Sequence, residues 1–311
     1  MKHIVVVGSL NMDFVVTVER LPAPGETVIG SDFQMHPGGK GANQACAAGK
    51  LGAGHVLTRM IGRVGYDVFG DTLKASLSAA GVDVGAVHAS RSSATGVALI
   101  PVERSGQNAI VVASGANYAL AASEVEAMRP VLRAASFVLF QLESPLDTVT
   151  AAMRLAHEEG ARTMLDPAPA RPLDPKLLAM VDILTPNETE ASILTGMPPA
   201  RVSLEDAPAL AQKLLALGPK AVVLKLGEQG CFYSDGQTQL SSPSFPVKVT
   251  DTTAAGDTFN AALAVALTEG QPLAGALRFA NAAAGISVTR VGAQSSIPTR
   301  SEVDALLLVQ S

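Results

Sequence analysis

The sequence is poor in the residues that cross-link a chain or hold a metal. Its 311 residues include two cysteines, Cys46 and Cys231, which lie far apart and form no Cys-x-x-Cys pair. The five histidines show no metal-ligand spacing either. We therefore expect neither a disulfide framework nor a zinc site.

Long apolar runs and an excess of positive charge are also missing. No stretch approaches the roughly 18 apolar residues that span a bilayer, and the N-terminal residues lack the apolar core and cleavage site of a signal peptide. The formal net charge of −5 argues against a nucleic-acid-binding protein, which needs a basic surface. These absences predict a soluble protein, cytoplasmic by default, that binds neither membranes nor nucleic acids.

The chain does contain an alternation of apolar strands and helical stretches. The strands expected from continuous apolar runs are residues 4–8, 137–141, 163–166, 183–185 and 221–225. The clearest expected helices are residues 40–51, 68–80, 255–267 and 274–288. This βαβ pattern predicts an α/β fold, a doubly wound and mostly parallel sheet flanked by helices.

Two segments break the alternation and predict a small β-sheet lid. Residues 13–34 contain two β-rich runs around a Pro/Gly turn, and residues 95–113 contain two more around Arg104-Ser-Gly-Gln, so each segment predicts an antiparallel hairpin. We expect the lid to comprise residues 11–44 and 94–116, and the α/β domain to comprise residues 1–10, 45–93 and 117–311.

The strongest chemical signal is the segment Asp251-Thr-Thr-Ala-Ala-Gly-Asp257. Small residues follow a β-rich run, residues 245–249, and open an amphipathic helix. Such residues let a ligand approach the backbone, and the free N–H groups of a helix's first turn form an anion site. An aspartate at this position also serves as a helix cap, although a cap needs no preceding run of small residues. The segment therefore predicts that Asp257 accepts a proton from a hydroxyl group while nearby amides stabilise a phosphoryl group.

Two N-terminal segments place polar residues beside glycines or after a strand. Pro37-Gly-Gly-Lys-Gly-Ala-Asn43 is not a phosphate loop, because Gly-x-x-x-x-Gly-Lys-Ser/Thr is absent. Its glycines would let a sugar lie against a helix start, with Lys40 and Asn43 as donors, but a solvated helix N-terminus explains it equally well. Asn11 and Asp13 follow the first strand, where open sheets bind ligands and where turn residues are also common.

Two later segments suit contact with a nucleotide. Asn187 and Glu190 follow a strand and lie one helical turn apart. A capping box explains that spacing, and Glu190 could at the same time orient the water shell of Mg²⁺. Lys225-Leu-Gly-Glu-Gln-Gly230 ends a strand with two glycines, which suit a turn and a nucleotide contact alike.

Together these segments resemble the ribokinase-like (PfkB) family of carbohydrate and nucleoside kinases. Residues 38–43 are similar to the family's N-terminal signature, and residues 251–257 are similar to its C-terminal signature, Asp-Thr-x-Gly/Ala-Ala-Gly-Asp. The resemblance runs essentially end to end and includes Gln141-Leu-Glu143 and Asp166-Pro-Ala-Pro-Ala-Arg171. It implies the family's α/β fold with a lid, and phosphorylation of D-ribose at its 5-hydroxyl by ATP.

The resemblance also implies roles for individual residues. The pentose would contact Asn11, Asp13, Gly39, Lys40, Asn43 and Glu143. Asp257 would be the base, with Ala254, Ala255 and Gly256 as the anion hole. ATP would contact Asn187, Lys225, Gly227, Gly230, Gly256 and Asn281, and Glu190 would place Mg²⁺ through water. An activating K⁺ would lie beside Asp251, Thr253, Ser287, Arg290, Gly292 and Ser296, held chiefly by backbone carbonyls.

Three positions depart from residues frequent in the family. Lys225 stands where a small hydroxyl residue is common, so it either adds a cation near the phosphates or points to solvent. Thr253 and Ser287 replace apolar or smaller residues, a change that carbonyl ligation tolerates.

Two alternative functions stay open. The first is a related kinase for deoxyribose, fructose or a nucleoside, although an aromatic content of 4% offers little for a base pocket. The second is a non-catalytic sugar-binding module on the same fold, against which the presence of Asp257 argues. The lid would close over the sugar and exclude water.

An exposed lid sheet also has an apolar face to bury. Phe14, Val16, Val28 and Ile29 suit a two-fold contact with a second copy, which predicts a homodimer through the lid.

Overall fold

The computed structural model describes residues 2–309, which form two β-sheets. Met1, Gln310 and Ser311, which belong to the predicted α/β domain, lie outside the described residues. The strands are β1 (Lys2–Val7), β2 (Asn11–Val18), β3 (Phe33–Gly38), β4 (Val56–Gly65), β5 (Val82–Ser90), β6 (Gly96–Glu103), β7 (Val111–Ala113), β8 (Phe137–Phe140), β9 (Arg162–Leu165), β10 (Ile183–Leu184), β11 (Val222–Lys225), β12 (Cys231–Ser234) and β13 (Gln239–Ser242). The helices are α1 (Lys40–Leu51), α2 (Val68–Ala79), α3 (Ala122–Ala127), α4 (Arg129–Arg133), α5 (Leu146–Glu158), α6 (Pro175–Leu178), α7 (Glu188–Leu194), α8 (Ala207–Leu215), α9 (Ala255–Glu269), α10 (Leu273–Ser287) and α11 (Arg300–Val309).

The larger sheet has nine strands in the order β13-β12-β11-β10-β9-β8-β1-β4-β5. The pairs from β11 to β5 are parallel, and only β12 and β13 add antiparallel pairs at one edge. The sheet grows in both directions from β1, which pairs with β4 on one side and β8 on the other. The predicted doubly wound, mostly parallel α/β fold is confirmed.

Helices cover both faces of this sheet. One apolar core joins α1, α2, α9 and α10 to one face, and a second joins α5 and α8 to the other. Because β1 and β8 lie between these two cores, their side chains are buried on both faces, which explains their continuous apolar sequences. Within residues 2–309, no helix is long and apolar enough to cross a membrane.

The smaller sheet has four strands in the order β3-β2-β6-β7 and forms the lid. The pairs β2–β3 and β6–β7 are antiparallel, and β2 and β6 join them as parallel neighbours. The second strand of the first hairpin begins at Phe33, and residues 27–30, where β-rich sequence suggested a strand, are irregular. Pro22, Pro24 and Gly25 before this stretch disfavour regular pairing.

Two further details of the fold are visible only in the structure. Residues 245–249 form no strand, because Pro243 and Pro246 lack the N–H groups that a ladder needs, and their side chains line a cavity instead. Phe14 does not lie free on the lid surface, since its ring stacks on Phe33 and meets Phe69 of α2 edge-on. α1 begins at Lys40, inside the segment 11–44 that the sequence assigns to the lid, and the division into domains stays a prediction.

Candidate active site

The carboxyl ends of the central parallel strands bring polar residues into one hydrogen-bonded region. Ser9 follows β1 and donates to Glu143, which follows β8. Asp166 follows β9 and accepts from Lys225, the last residue of β11. Because parallel strands end at the same edge of a sheet, residues far apart in sequence meet there.

Asp257 lies in the first turn of α9 and is buried. Its carboxylate does not cap the helix; it accepts hydrogen bonds from Asn43 Nδ2 and Gln44 Nε2 of α1, both at 3.1 Å. The helix-cap interpretation of Asp257 is therefore wrong. The residue before α9 is Ala254, whose φ of 59° is the only positive value at a non-glycine residue between 2 and 309. This left-handed residue lets the chain turn sharply into the helix.

The backbone amides before Asp257 are not equivalent. The N–H of Ala255 donates to Thr252 O at 3.2 Å, so it is not a free donor in this conformation, contrary to its expected place in the anion hole. Ala254, Gly256 and Asp257 make no such backbone bond among the described residues. Since the first N–H groups of a helix lack intrahelical partners, Gly256 and Asp257 present free donors here.

Gln44 links Asp257 to a second buried carboxylate. Its Nε2 also donates to Asp166 Oδ2 at 3.2 Å, and its Oε1 accepts from Gln141 Nε2 at 2.6 Å. The bond from Gln141 sets the orientation of the Gln44 amide, so that its NH₂ group faces both carboxylates.

Lys225 points into this network and not to solvent. Its Nζ lies 3.0 Å from Asp166 Oδ1, and the side chain is 13% exposed. A β-carbon placed on Gly256 would lie 3.3 Å from the same nitrogen, so the ammonium group sits against the start of α9. The sequence left two roles open for Lys225, and this geometry supports that of a cation beside the anion-binding turn.

The charges in the site shift the pKa values of two key groups. Burial raises the pKa of Asp257 to about 6; the charge of Asp166 adds to the rise, and Lys40 opposes it. Burial alone would lower the pKa of Lys40, but the surrounding carboxylates, Asp257 first among them, outweigh it and raise the pKa. Lys40 therefore stays protonated, whereas Asp257 titrates close to neutral pH, as a general base requires.

On the sugar side, the predicted residues include a buried polar atom that lacks a partner among residues 2–309. Glu143 is held by the backbone N–H of Lys40 at 3.0 Å as well as by Ser9. Asn43 Oδ1 is buried without a hydrogen-bond partner. Burial, together with the charges of Glu143 and Asp257, raises the pKa of Asp13 to about 7. Buried polar atoms without partners indicate a polar ligand, and alternating donors and acceptors suit a polyol.

Two glycines make room for this arrangement. A β-carbon on Gly38 would lie 2.1 Å from Asp13 Oδ2. Gly39 has a φ of 88°, and a β-carbon there would lie 2.7 Å from the Asn11 nitrogen. Both positions therefore need glycine, as the sequence suggested for a close approach to the start of α1.

A cavity of about 830 Å³ opens beside Lys40 and Asp257. It is lined by all the predicted nucleotide contacts, namely Asn187, Lys225, Gly227, Gly230, Gly256 and Asn281. Its lining also includes apolar residues, namely Phe245, Val247, Val249, Ala284 and Val288. A cavity lined by both charged and apolar residues suits a molecule that joins phosphates to a flat, weakly polar ring.

Asn187 and Glu190 form the predicted capping box at the start of α7. Glu190 accepts from the Asn187 backbone N–H at 2.8 Å and from its Nδ2 at 3.0 Å, while Asn187 Oδ1 accepts from the Glu190 N–H at 2.8 Å. Burial raises the pKa of Glu190 and Lys225 opposes the rise. The Asn281 amide nitrogen is occupied as well, since it donates to Ser242 O at 2.9 Å.

The residues expected around a monovalent cation form one connected loop region. Asp251 accepts from the Thr253 N–H and from the Gly292 N–H, both at 2.9 Å. Ser287 ends α10, and the next residue accepts from the Asp251 N–H at 3.2 Å. The Ser296 hydroxyl donates to Ala293 O, and the Arg290 guanidinium donates to Glu302. Because a guanidinium has no acceptor atom, Arg290 could contact a cation only through its main-chain oxygen.

The sequence alone did not assign roles to Ser9, Gln44, Asn117, Gln141 or Asp166. Ser9 and Asp166 directly follow strands, and Gln44 follows Asn43, so their positions offered a signal. Asn117 offered none, because its partners lie more than 100 residues away, at |i−j| of 107 and 106.

Comparisons with known proteins agree with this geometry. The profile of the pfkB family carbohydrate kinases matches residues 1–300. The chain is 44% identical to the ribokinase of Bacillus subtilis, over 99% of this chain and 100% of the relative. The structure of Arabidopsis thaliana ribokinase complexed with ribose and ATP aligns with a TM-score of 0.90 at 37% identity, covering 99% of each chain. The Thermotoga maritima ribokinase structure aligns with a TM-score of 0.89 at 38% identity, covering 99% of this chain and 100% of the other.

Proposed function

The chain belongs to the pfkB family of carbohydrate kinases, and we propose that within it the protein acts as a ribokinase. It transfers the γ-phosphoryl group of ATP to the 5-hydroxyl of D-ribose, giving ribose 5-phosphate and ADP. The observation that carries this proposal is the position of Asp257, a buried carboxylate held by two amides of α1 beside a cavity of about 830 Å³.

The transfer is direct and in line, without a covalent intermediate. Asp257 accepts the proton of the 5-hydroxyl as its oxygen attacks the γ-phosphorus, and the bond to the β-phosphate oxygen breaks. The free N–H groups of Gly256 and Asp257 and the ammonium of Lys225 bind the charge on the transferring group. Asn11, Asp13, Gly39, Lys40, Asn43 and Glu143 hold the sugar hydroxyls.

Two ions complete the proposed site. The residues fit Mg²⁺, because Glu190 and Asp166 supply negative charge beside the cavity and Mg²⁺ keeps most of its water ligands. When bound, Mg²⁺ neutralises phosphate charge. Between Lys2 and Val309, no cluster of three or more His, Cys, Asp or Glu side chains is arranged to hold a metal directly, which agrees with a water-mediated contact.

The loop around Asp251 fits K⁺. Hydrogen bonds from Thr253 and Gly292 lower the pKa of Asp251 although its burial would raise it, so a full negative charge stays beside the main-chain oxygens of this loop. A bound K⁺ would fix the backbone from residue 251 to the anion-binding turn.

The substrate test is ADP release across pentoses, hexoses and nucleosides, with and without K⁺. We expect ribose to give the highest kcat/KM. A clear preference for deoxyribose, fructose or a nucleoside would show that ribose is not the main substrate.

Asp257→Asn should lower kcat by about 10²- to 10⁴-fold. Asp71→Asn is the matched control, because Asp71 also lies in the first turn of a helix but is exposed. Full turnover by Asp257→Asn would disprove the mechanism.

We also propose that two copies associate through the lid. Pairing register places Phe33, Met35, Leu99 and Val111 on one face of the lid sheet, where each is more than half exposed. A patch of this kind on a sheet face is characteristic of a protein contact. Leu99→Glu should give a monomer by light scattering, while Leu204→Glu, at an exposed apolar site outside the lid, should not. A wild-type monomer at micromolar concentration would contradict this proposal.

A cytoplasmic location is part of the same proposal, because the reaction consumes ATP, which is available there.

A further inference from the structure

All four chain crossings between the two sheets meet at one buried point. The chain passes from β1 to β2 at Leu10–Asn11, from β3 to α1 at Gly39, from β5 to β6 at Thr95–Gly96, and from β7 back to the larger sheet through the 3₁₀ turn Gly115–Ala119. A β-carbon on Gly39 would lie 2.7 Å from the Asn11 nitrogen. A β-carbon on Gly96 would lie 2.3 Å from Asn11 Oδ1 and 2.4 Å from Asn117 Nδ2.

Asn117 lies in the fourth of these crossings and is 2% exposed. Its Oδ1 accepts from the Leu10 backbone N–H at 2.8 Å. Its Nδ2 donates to Leu10 O at 3.1 Å and to Asn11 Oδ1 at 2.7 Å. Both hydrogens of the amide are used, so the whole side chain is committed to residues 10 and 11.

These bonds determine which way the Asn11 amide faces. A backbone N–H can only donate, so the oxygen of Asn117 must face Leu10, and its NH₂ group must then face Asn11. The Asn11 atom that accepts is therefore its oxygen, and its Nδ2 is turned away from Asn117. This Nδ2 makes no hydrogen bond to any residue in the range 2–309, although Asn11 is 3% exposed. A donor without a protein partner, on a side chain that is otherwise buried, is suited to a ligand acceptor.

We infer that Asn117 is a positioning residue for sugar binding: it holds Asn11 so that its NH₂ group, and not its carbonyl, faces the sugar. The inference rests on the proposed function, in which Asn11 contacts the pentose. It also implies that the lid and the sugar donor are positioned together, because Asn117 lies in the 3₁₀ turn that follows the last lid strand.

Asn117→Asp tests the inference with almost no change in size. One carboxylate oxygen can still accept from Leu10 N–H, but the other would face Leu10 O and Asn11 Oδ1, so the Asn11 amide should turn over to donate. Its carbonyl would then face the sugar oxygen. We expect KM for ribose to rise by about 5- to 100-fold, the range for an unsatisfied buried polar group, and KM for ATP to change by less than about 2-fold.

A double-mutant cycle separates positioning from general destabilisation. In an Asn11→Ala background, Asn117→Asp should have almost no further effect on KM for ribose, because the residue through which it acts is gone. Asn108→Asp is the matched control, since it makes the same charge change at an exposed lid residue. If Asn117→Asp does not fold, as judged by thermal unfolding, Asn117→Ser provides the second variant; it keeps an acceptor for Leu10 but loses the NH₂ group.

Three results would overturn the inference. These are an equal rise in the KM values for ribose and ATP, an Asn117 effect that persists undiminished without the Asn11 amide, or no effect at all. Failure of the proposed function looks different, because the wild-type protein itself would then fail to phosphorylate ribose in the substrate panel. If the substrate panel identifies another sugar, the double-mutant cycle is measured with that sugar. If no sugar in the panel is phosphorylated, both the proposed function and this inference are overturned.

Discussion

Replacing Asp166 by asparagine should move the acid limb of the rate profile to lower pH, and replacing Lys225 by methionine should move it to higher pH. Asp257 must be unprotonated to accept a proton, so the rate falls as pH falls through its pKa, which burial raises to about 6. Asp166 shares Gln44 Nε2 with Asp257, and Lys225 Nζ is the counterion of Asp166. Removing either charge therefore changes the potential at the base, in opposite directions.

The size of the shift follows from the separation of the charges. Both carboxylate oxygens lie within 3.2 Å of Gln44 Nε2, so at most about 6 Å separates them. At an effective dielectric constant of about 20, two such charges repel by about 3 kcal/mol, equivalent to about 2 pH units. Because Lys225 compensates part of the charge of Asp166, we expect a shift of about 1 pH unit in each variant.

The assay is kcat/KM for ribose at saturating ATP, measured by coupled ADP release from about pH 5 to pH 9. Asp13 titrates in the same range, but its pKa is set by burial, Glu143 and Asp257, so the difference between the two variants reports on Asp257.

Asp182→Asn is the matched control, because Asp182 forms a similar pair with Lys220, at 2.8 Å, directly before β10 and not at the carboxyl end of a strand. The electrostatic coupling would be refuted if the acid limb moved in the same direction in Asp166→Asn and Lys225→Met, or if it did not move in Asp166→Asn.

Three further predictions concern stability, sterics and the cation. The pKa of Asp13 is raised to about 7 in the folded protein, so its contribution to stability is present below the unfolded pKa and is lost as pH rises through about 7. At pH 8 the buried carboxylate is therefore charged and unfavourable. Asp13→Asn should raise the free energy of unfolding of the ligand-free protein at pH 8 by about 2 kcal/mol, measured by thermal melts. Gly39→Ala should raise KM for ribose and destabilise the fold more than Gly54→Ala does. Both glycines have a positive φ, but only at Gly39 would an added β-carbon meet Asn11. Equal effects of the two substitutions would contradict a steric role for Gly39. If K⁺ increases kcat as proposed, Asp251→Ala should abolish that increase, and an unchanged response to K⁺ would contradict a cation site at this loop.

Much of the fold could be predicted because its elements differ locally in pattern. Residues 40–51 were expected as a helix and form α1, and the apolar run at residues 137–141 contains β8. Residues 245–249 have the same β-rich character but line the nucleotide cavity. Burial against a ligand site and burial within a sheet select the same apolar residues, so the pattern does not separate them.

The site was less predictable where its contacts are long-range. Glycines and polar residues after strands indicated Gly39, Asp13 and Asp257. The donor to Asp257, Gln44, is 213 positions away in sequence. Which amide faces which carboxylate depends on how α1 packs against α9, and no local pattern carries that information.

The sequence by itself determined the order of the elements, the two glycine-rich segments and the candidate residues, because these depend on local periodicity and residue type. Only the tertiary structure decided that Asp257 is a buried carboxylate and not a helix cap, that Lys225 pairs with Asp166, and that Asn117 is bonded to Asn11. Each of these depends on which distant groups come within hydrogen-bonding distance and lose their water. Desolvation and pairing are properties of the assembled fold, and they give the same side chains their different chemistry.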